Sequence, residues 1–171
     1  MQQGFKALVI AAFLLLFTIL PVYAADILPV PFTSQAPTGD WRQPYQDFCE
    51  EASIVMAAHF LWGVILTPEI ADLEMRIIQK YEDLVFGRSR DTSVDEAADV
   101  LRILYGFRNV AVKDISSAED IKNELIAGHA VIAPVAGRML KNPYFRPPGP
   151  LYHMLVIRGF DAEAATFITN D

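Results

Sequence analysis

The apolar rhythm of this chain changes once, near residue 130. From about Phe48 to Gly128, apolar side chains recur at helical spacing in four segments. From Ala130 onward they form short runs separated by turns. Helices therefore dominate the first half and strands the second, which predicts an α+β layout with a helical layer packed on an antiparallel sheet.

The first helix is expected from about Phe48 to Trp62, with Ala52, Val55, Met56, His59 and Phe60 as its apolar stripe and Gly63 as its stop. At its start, Asp47 and Glu50 have the spacing of a capping box. Thr67 and Pro68 open a second helix, with Ile70, Leu73, Ile77, Ile78 and Tyr81 facing inward. Ser93 and Glu96 cap a third, which buries Ala97, Val100, Leu101 and Leu104 and closes at Gly106. Asn109 to Lys113 alternates as a short strand would, and Ser116 with Glu119 caps a fourth helix ending at Gly128. Ala130–Val135, His153–Gly159 and Ala165–Thr169 read as strands, and residues 136–151 as a long Pro/Gly-rich surface loop. Ile27–Phe32 is extended, because Pro29 and Pro31 disfavour helix at the residues before them, and suits a sheet edge.

Residues 1–24 have the layout of a secretory signal peptide. Lys6 precedes an apolar run from Ala7 to Leu20, and Val22-Tyr23-Ala24 offers a cleavage site. The run is short for a membrane span, so no stable span is expected after cleavage. A single domain over residues 25–171, outside the cytoplasmic membrane, follows. With 53% hydrophobic and 20% charged residues it can bury a sizeable core. A net charge of −7 without a basic cluster argues against nucleic acid as a partner.

Export gives weight to the only cysteine, Cys49. One cysteine cannot close an internal disulfide, so a reactive thiol or an intermolecular bridge is expected. Cys49 lies in the first turn of the first helix, where free N–H groups and the helix dipole favour a thiolate. A nucleophilic thiol needs a base and a group to orient that base. His59 lies on the same helix roughly 15 Å further along, too far to serve. His129 reads as a loop residue. His153 opens an apolar strand, and the end of the neighbouring strand brings Asn170-Asp171 toward it, so that an amide or a carboxylate could hold the imidazole. Gln35, or else Gln43 or Gln46, could stabilise an oxyanion together with the Cys49 N–H. Trp41 and Tyr45, on the preceding loop, could wall a cleft or cover the core. One cysteine and three scattered histidines provide no metal-ligand spacing, so neither metal nor cofactor is expected.

Taken together, Val30-Pro31-Phe32-Thr33-Ser34-Gln35-Ala36-Pro37-Thr38-Gly39, Cys49-Glu50-Glu51-Ala52-Ser53, Gly128 with Val131-Ile132, His153 to Asp161, and Asn170-Asp171 resemble the peptidase family C-thirty-nine-like domains. These are papain-like cysteine peptidases related to the enzymes that cut bacteriocin precursors after double-glycine leaders. The resemblance spans nearly all of the chain after the signal segment. It implies a papain-like fold and the roles of nucleophile for Cys49, base for His153, orienting carboxylate for Asp171 and oxyanion donor for Gln35. It also implies cleavage of peptide bonds through a thioester, without a cofactor. In the family the sheet continues beyond the position of Asp171, so this sequence looks like a fragment or a form lacking its last strands. The alternatives are a non-enzymatic module that binds a peptide or wall component on the same fold, and a Cys-His acyl transferase that passes the acyl group to an amine.

Overall fold

The structure, a computed structural model, describes residues 27–171. The expected signal peptide and its cleavage site lie outside the described residues. The rest is an α+β assembly of five helices and one three-stranded antiparallel sheet. Helix α1 is Cys49–Trp62, α2 Pro68–Val85, α3 Val94–Asp99, α4 Ala118–Ile126 and α5 Gly137–Leu140. Strands β1 (Val131–Val135), β2 (His153–Asp161) and β3 (Thr166–Asn170) lie in that order, with β2 central.

Helix α1 is the core of the molecule. Every residue from Glu50 to His59 is buried, not just one stripe, because α1 is packed between the sheet and α2. It stops at Gly63, whose φ of 65° places it in the left-handed region. Helix α2 starts as expected, with Thr67 Oγ1 accepting from the Ile70 N–H and Pro68 in the first turn. Its inward face differs from expectation. Ala71, Met75, Ile78 and Glu82 are buried, while Ile70, Leu73 and Ile77 are exposed. The two arcs are offset by about one residue's rotation, roughly 100°, so apolar spacing alone does not choose between them. The contact with α1 does, and small Ala71 is fully buried on the face it selects.

The Ser93–Glu96 capping box forms in full. Helix α3 then widens into a π-turn over Val100–Leu104, closed by the Tyr105 N–H on Val100 O. The extra residue rotates Leu104 out of the buried face, leaving it 38% exposed. The cap of α4 is Ser117 with Asp120, one residue beyond the expected pair. The Asp120 carboxylate reaches the N–H groups of both Ser116 and Ser117. Asn109–Lys113 joins no strand. A cleft separates it from the outer edge of β1, so the expected ladder has no partner.

Ile27–Phe32 is extended but makes no ladder. Its Leu28 N–H donates to Arg158 O at 2.8 Å, beside the bulge that shifts the β2–β3 register between Ile157 and Gly159. Gly159 permits this approach, since a Cβ there would sit 3.3 Å from Ile27 Cα. Asn170 Nδ2 donates to Val30 O at 3.1 Å and to Pro31 O at 3.2 Å. The N-terminal segment is thereby tied to the end of β3, next to His153.

Candidate active site

Cys49 is the first residue of α1, directly after a 3₁₀ turn at Tyr45–Asp47. The N-cap is Phe48, which offers no side-chain acceptor. The Asp47–Glu50 capping box does not form. Asp47 Oδ2 instead accepts from Gln43 Nε2 at 3.0 Å and pairs with Arg90 at 3.5 Å. Glu50 turns into the interior, where Oε1 accepts from the Thr92 N–H and Oε2 from the Cys49 thiol, both at 3.0 Å. A buried backbone donor at Thr92 needs an acceptor more than the partly solvated end of α1 needs a cap.

His153 is the first residue of β2, 5% exposed. Its Nε2 meets Oδ1 of Asp171, and Phe145 packs edge-on against its ring at 5.1 Å. Asp171 Oδ2 accepts from Asn142 Nδ2 at 2.6 Å. Burial acts to raise the Asp171 carboxyl, but the bonds from His153 and Asn142 outweigh it and hold the group below the usual carboxylate range. Of the expected pair, the carboxylate at Asp171 holds the imidazole, and the Asn170 amide anchors the chain. Asn142 and Phe145 come from the 136–151 segment, which reads as surface loop, and no local pattern in the sequence flags them.

Cys49, His153, Asp171 and Gln35 line one pocket. With Nε2 on Asp171, Nδ1 is the imidazole nitrogen left for the thiol. Among the described residues Sγ donates to Glu50, and no hydrogen bond joins it to His153. The pocket is a small, half-open recess with a volume of about 10 Å³, room for a single water. The surroundings of the thiol work against the thiolate that the helix dipole favours. Burial, followed by the charge of Glu50 and the bond to it, pushes its pKa far up, and the Met154 N–H facing Sγ does not offset them.

Of the three glutamines, only Gln35 lines this pocket. Its Nε2 donates to Tyr45 O at 2.9 Å and Gln46 O at 3.0 Å, holding the turn that leads into α1. Tyr45 packs on the core, edge-on to Phe48, and donates to Asp72, while Trp41 is half exposed. Neither lines the pocket. His59 is buried, with Nδ1 facing Ile65 O and Nε2 facing Glu74, and His129 is exposed beside Glu124.

A larger apolar cleft of about 1130 Å³ runs between α1, α3, residues 109–115 and β1, with Asn142 and Asp171 in its lining. Among the described residues, no group of three or more His, Cys, Asp or Glu side chains is placed to hold a metal, and no helix is long and apolar enough to cross a membrane.

A thiol at a helix N-terminus, an imidazole at the start of β2 and a carboxylate on that imidazole stand together in an α+β fold. The chain belongs to the Peptidase_C39 like family, whose description matches residues 27–171. Searches of curated proteins and of solved structures returned no match.

Proposed function

We propose that this protein is a secreted, papain-like cysteine hydrolase that cleaves peptide amide bonds. The observation that carries the reading is the shared pocket of Cys49 and His153, with His153 bonded through Nε2 to Asp171. Nδ1 of His153 takes the thiol proton, and Sγ attacks the scissile carbonyl carbon. The oxyanion of the tetrahedral intermediate falls near the Cys49 N–H at the start of α1, with Gln35 as second donor once its amide turns from Tyr45 and Gln46. The amine leaves with the proton from His153, and water, deprotonated by the same imidazole, hydrolyses the thioester. Asp171 keeps the proton-bearing Nε2 turned away from sulfur. Residues 1–24 act as the export signal, and residues 25–171 are the enzyme.

A binding module is the second reading, favoured by a thiol that bonds Glu50 rather than His153. A peptidyl acyloxymethyl ketone tests both. The hydrolase reading expects an adduct on Cys49, seen by mass spectrometry, that is lost in a folded His153→Ala variant, together with cleavage of a peptide amide panel. No adduct and no cleavage from the folded protein favour the binding module.

A further inference from the structure

The carboxyl group nearest the nucleophile has no part in the mechanism above. Glu50 is 1% exposed and reaches Cys49 Sγ with one oxygen, at 3.0 Å, and the Thr92 N–H with the other, at 3.0 Å. Thr92 lies just before α3, and its carbonyl accepts from the Tyr152 hydroxyl at 2.6 Å, one residue before His153. The carboxylate is therefore fixed at both oxygens and cannot swing away as a surface glutamate would. Burial raises the Glu50 pKa, but two donors on two oxygens work against that and suit the ionised form, which only accepts.

We propose that Glu50 is a positioning residue that holds the Cys49 thiol hydrogen and keeps the resting nucleophile protonated and unpaired with His153. This rests on the reading of Cys49 as the nucleophile. Activation then exchanges one hydrogen bond for another. The S–H···Oε2 bond breaks, Sγ turns to His153, the proton moves to Nδ1, and Glu50 stays ionised on the Thr92 N–H. The negative charge beside sulfur opposes thiolate formation until a substrate carbonyl is in place to receive the electron pair. An exported thiol kept as S–H also resists oxidation, since the thiolate is the species oxidants attack. The titratable groups around Glu50 are Cys49 and Glu51 on α1, Glu82 on α2, Asp91 before α3, and Tyr152.

The test is the rate of iodoacetamide alkylation against pH, in the wild-type protein and in Glu50→Gln. Glutamine keeps an acceptor for Thr92 but offers sulfur a donor in place of a charge. The expected result is a profile displaced to lower pH by a unit or more, so that Glu50→Gln reacts about tenfold faster near neutrality. Coincident profiles in two folded proteins overturn the proposal. Should Glu50→Gln not fold, the wild-type infrared S–H band, which belongs to Cys49 alone, decides. A band lowered in frequency by a charged acceptor and persisting above pH 8.5 supports the proposal, and a band at the frequency of a free thiol, or titration at or below the ordinary thiol range of about 8.5, overturns it. Neither readout needs turnover. Peptide cleavage with coincident profiles sinks the Glu50 inference alone, and a displaced profile without cleavage or probe adduct sinks the hydrolase reading alone.

Discussion

Replacing Glu82 with glutamine should make the protein more resistant to alkaline unfolding. Glu51 on α1 and Glu82 on α2 are both fully buried, and none of their four carboxyl oxygens has a donor among the described residues. The two groups act directly on each other. Burial, and then the neighbouring carboxylates, push both pKa values above the ordinary carboxyl range. A carboxyl whose folded pKa exceeds its unfolded one binds more protons in the folded state. Its stabilisation is complete below the unfolded pKa, about 4.3, and is lost as pH rises through the folded value. One proton limits the loss to about 1.4 kcal/mol per pH unit, so a rise from pH 5 to pH 7 can remove up to roughly 2.7 kcal/mol through Glu82. Glutamine keeps the shape, cannot ionise, and can donate from Nε2 to Glu51. Urea unfolding at pH 5, 6, 7 and 8 should show wild-type stability falling over this range and a clearly shallower fall in Glu82→Gln. Parallel curves, or wild-type stability that rises with pH, would refute the idea of a protonated buried pair.

Gly137→Ala should unsettle the site from a distance. The new Cβ would lie 2.6 Å from Pro150 Cγ, 2.9 Å from Pro150 O and 3.1 Å from His153 Cβ, an overpacking worth about 1–3 kcal/mol in thermal unfolding and accompanied by a shifted His153 imidazole resonance. Asp171→Asn leaves His153 without its charged partner, and peptide cleavage should fall on the order of 10²-fold or more with the fold intact by circular dichroism. Because Asp171 lies below its ordinary pKa, the stability it contributes is present above the unfolded value of about 3.9 and is lost as pH falls through the folded one, so the stability gap between wild type and Asp171→Asn in urea unfolding should be widest near neutrality and close as the pH is lowered. Ser93→Ala removes the acceptor of the Glu96 N–H and should cost about 1 kcal/mol in urea unfolding.

What the chain determines locally is legible in its sequence. The Ser93–Glu96 box, the Thr67-Pro68 start and the Gly63 stop all form as written, because each depends on dihedral preferences and hydrogen bonds within one turn. The order of four helices followed by three strands also places Cys49, His153 and Asp171 at element ends that meet, since antiparallel β2 and β3 bring Asp171 back to His153. Other features depend on a partner far along the chain. Asp47 and Glu50 have the spacing of a cap, but Thr92, 42 residues beyond Glu50, offers a buried N–H that outbids it. Burial of the thiol, and then the charge of the Glu50 carboxylate turned toward it, push its pKa up where helix position alone favours a thiolate. The face of α2, the exposure of Leu104 and the unpaired run at 109–113 are likewise set by what packs beside them, which periodicity does not encode. Asn142 and Phe145 reach His153 and Asp171 only because Gly137, against Pro150, lets the 136–151 segment fold back on the sheet. Sequence determined which residues stand at the site, because short-range physics sets the ends of helices and strands. Tertiary structure decided their protonation and hydrogen-bond partners, because burial and charge are sums over the whole fold.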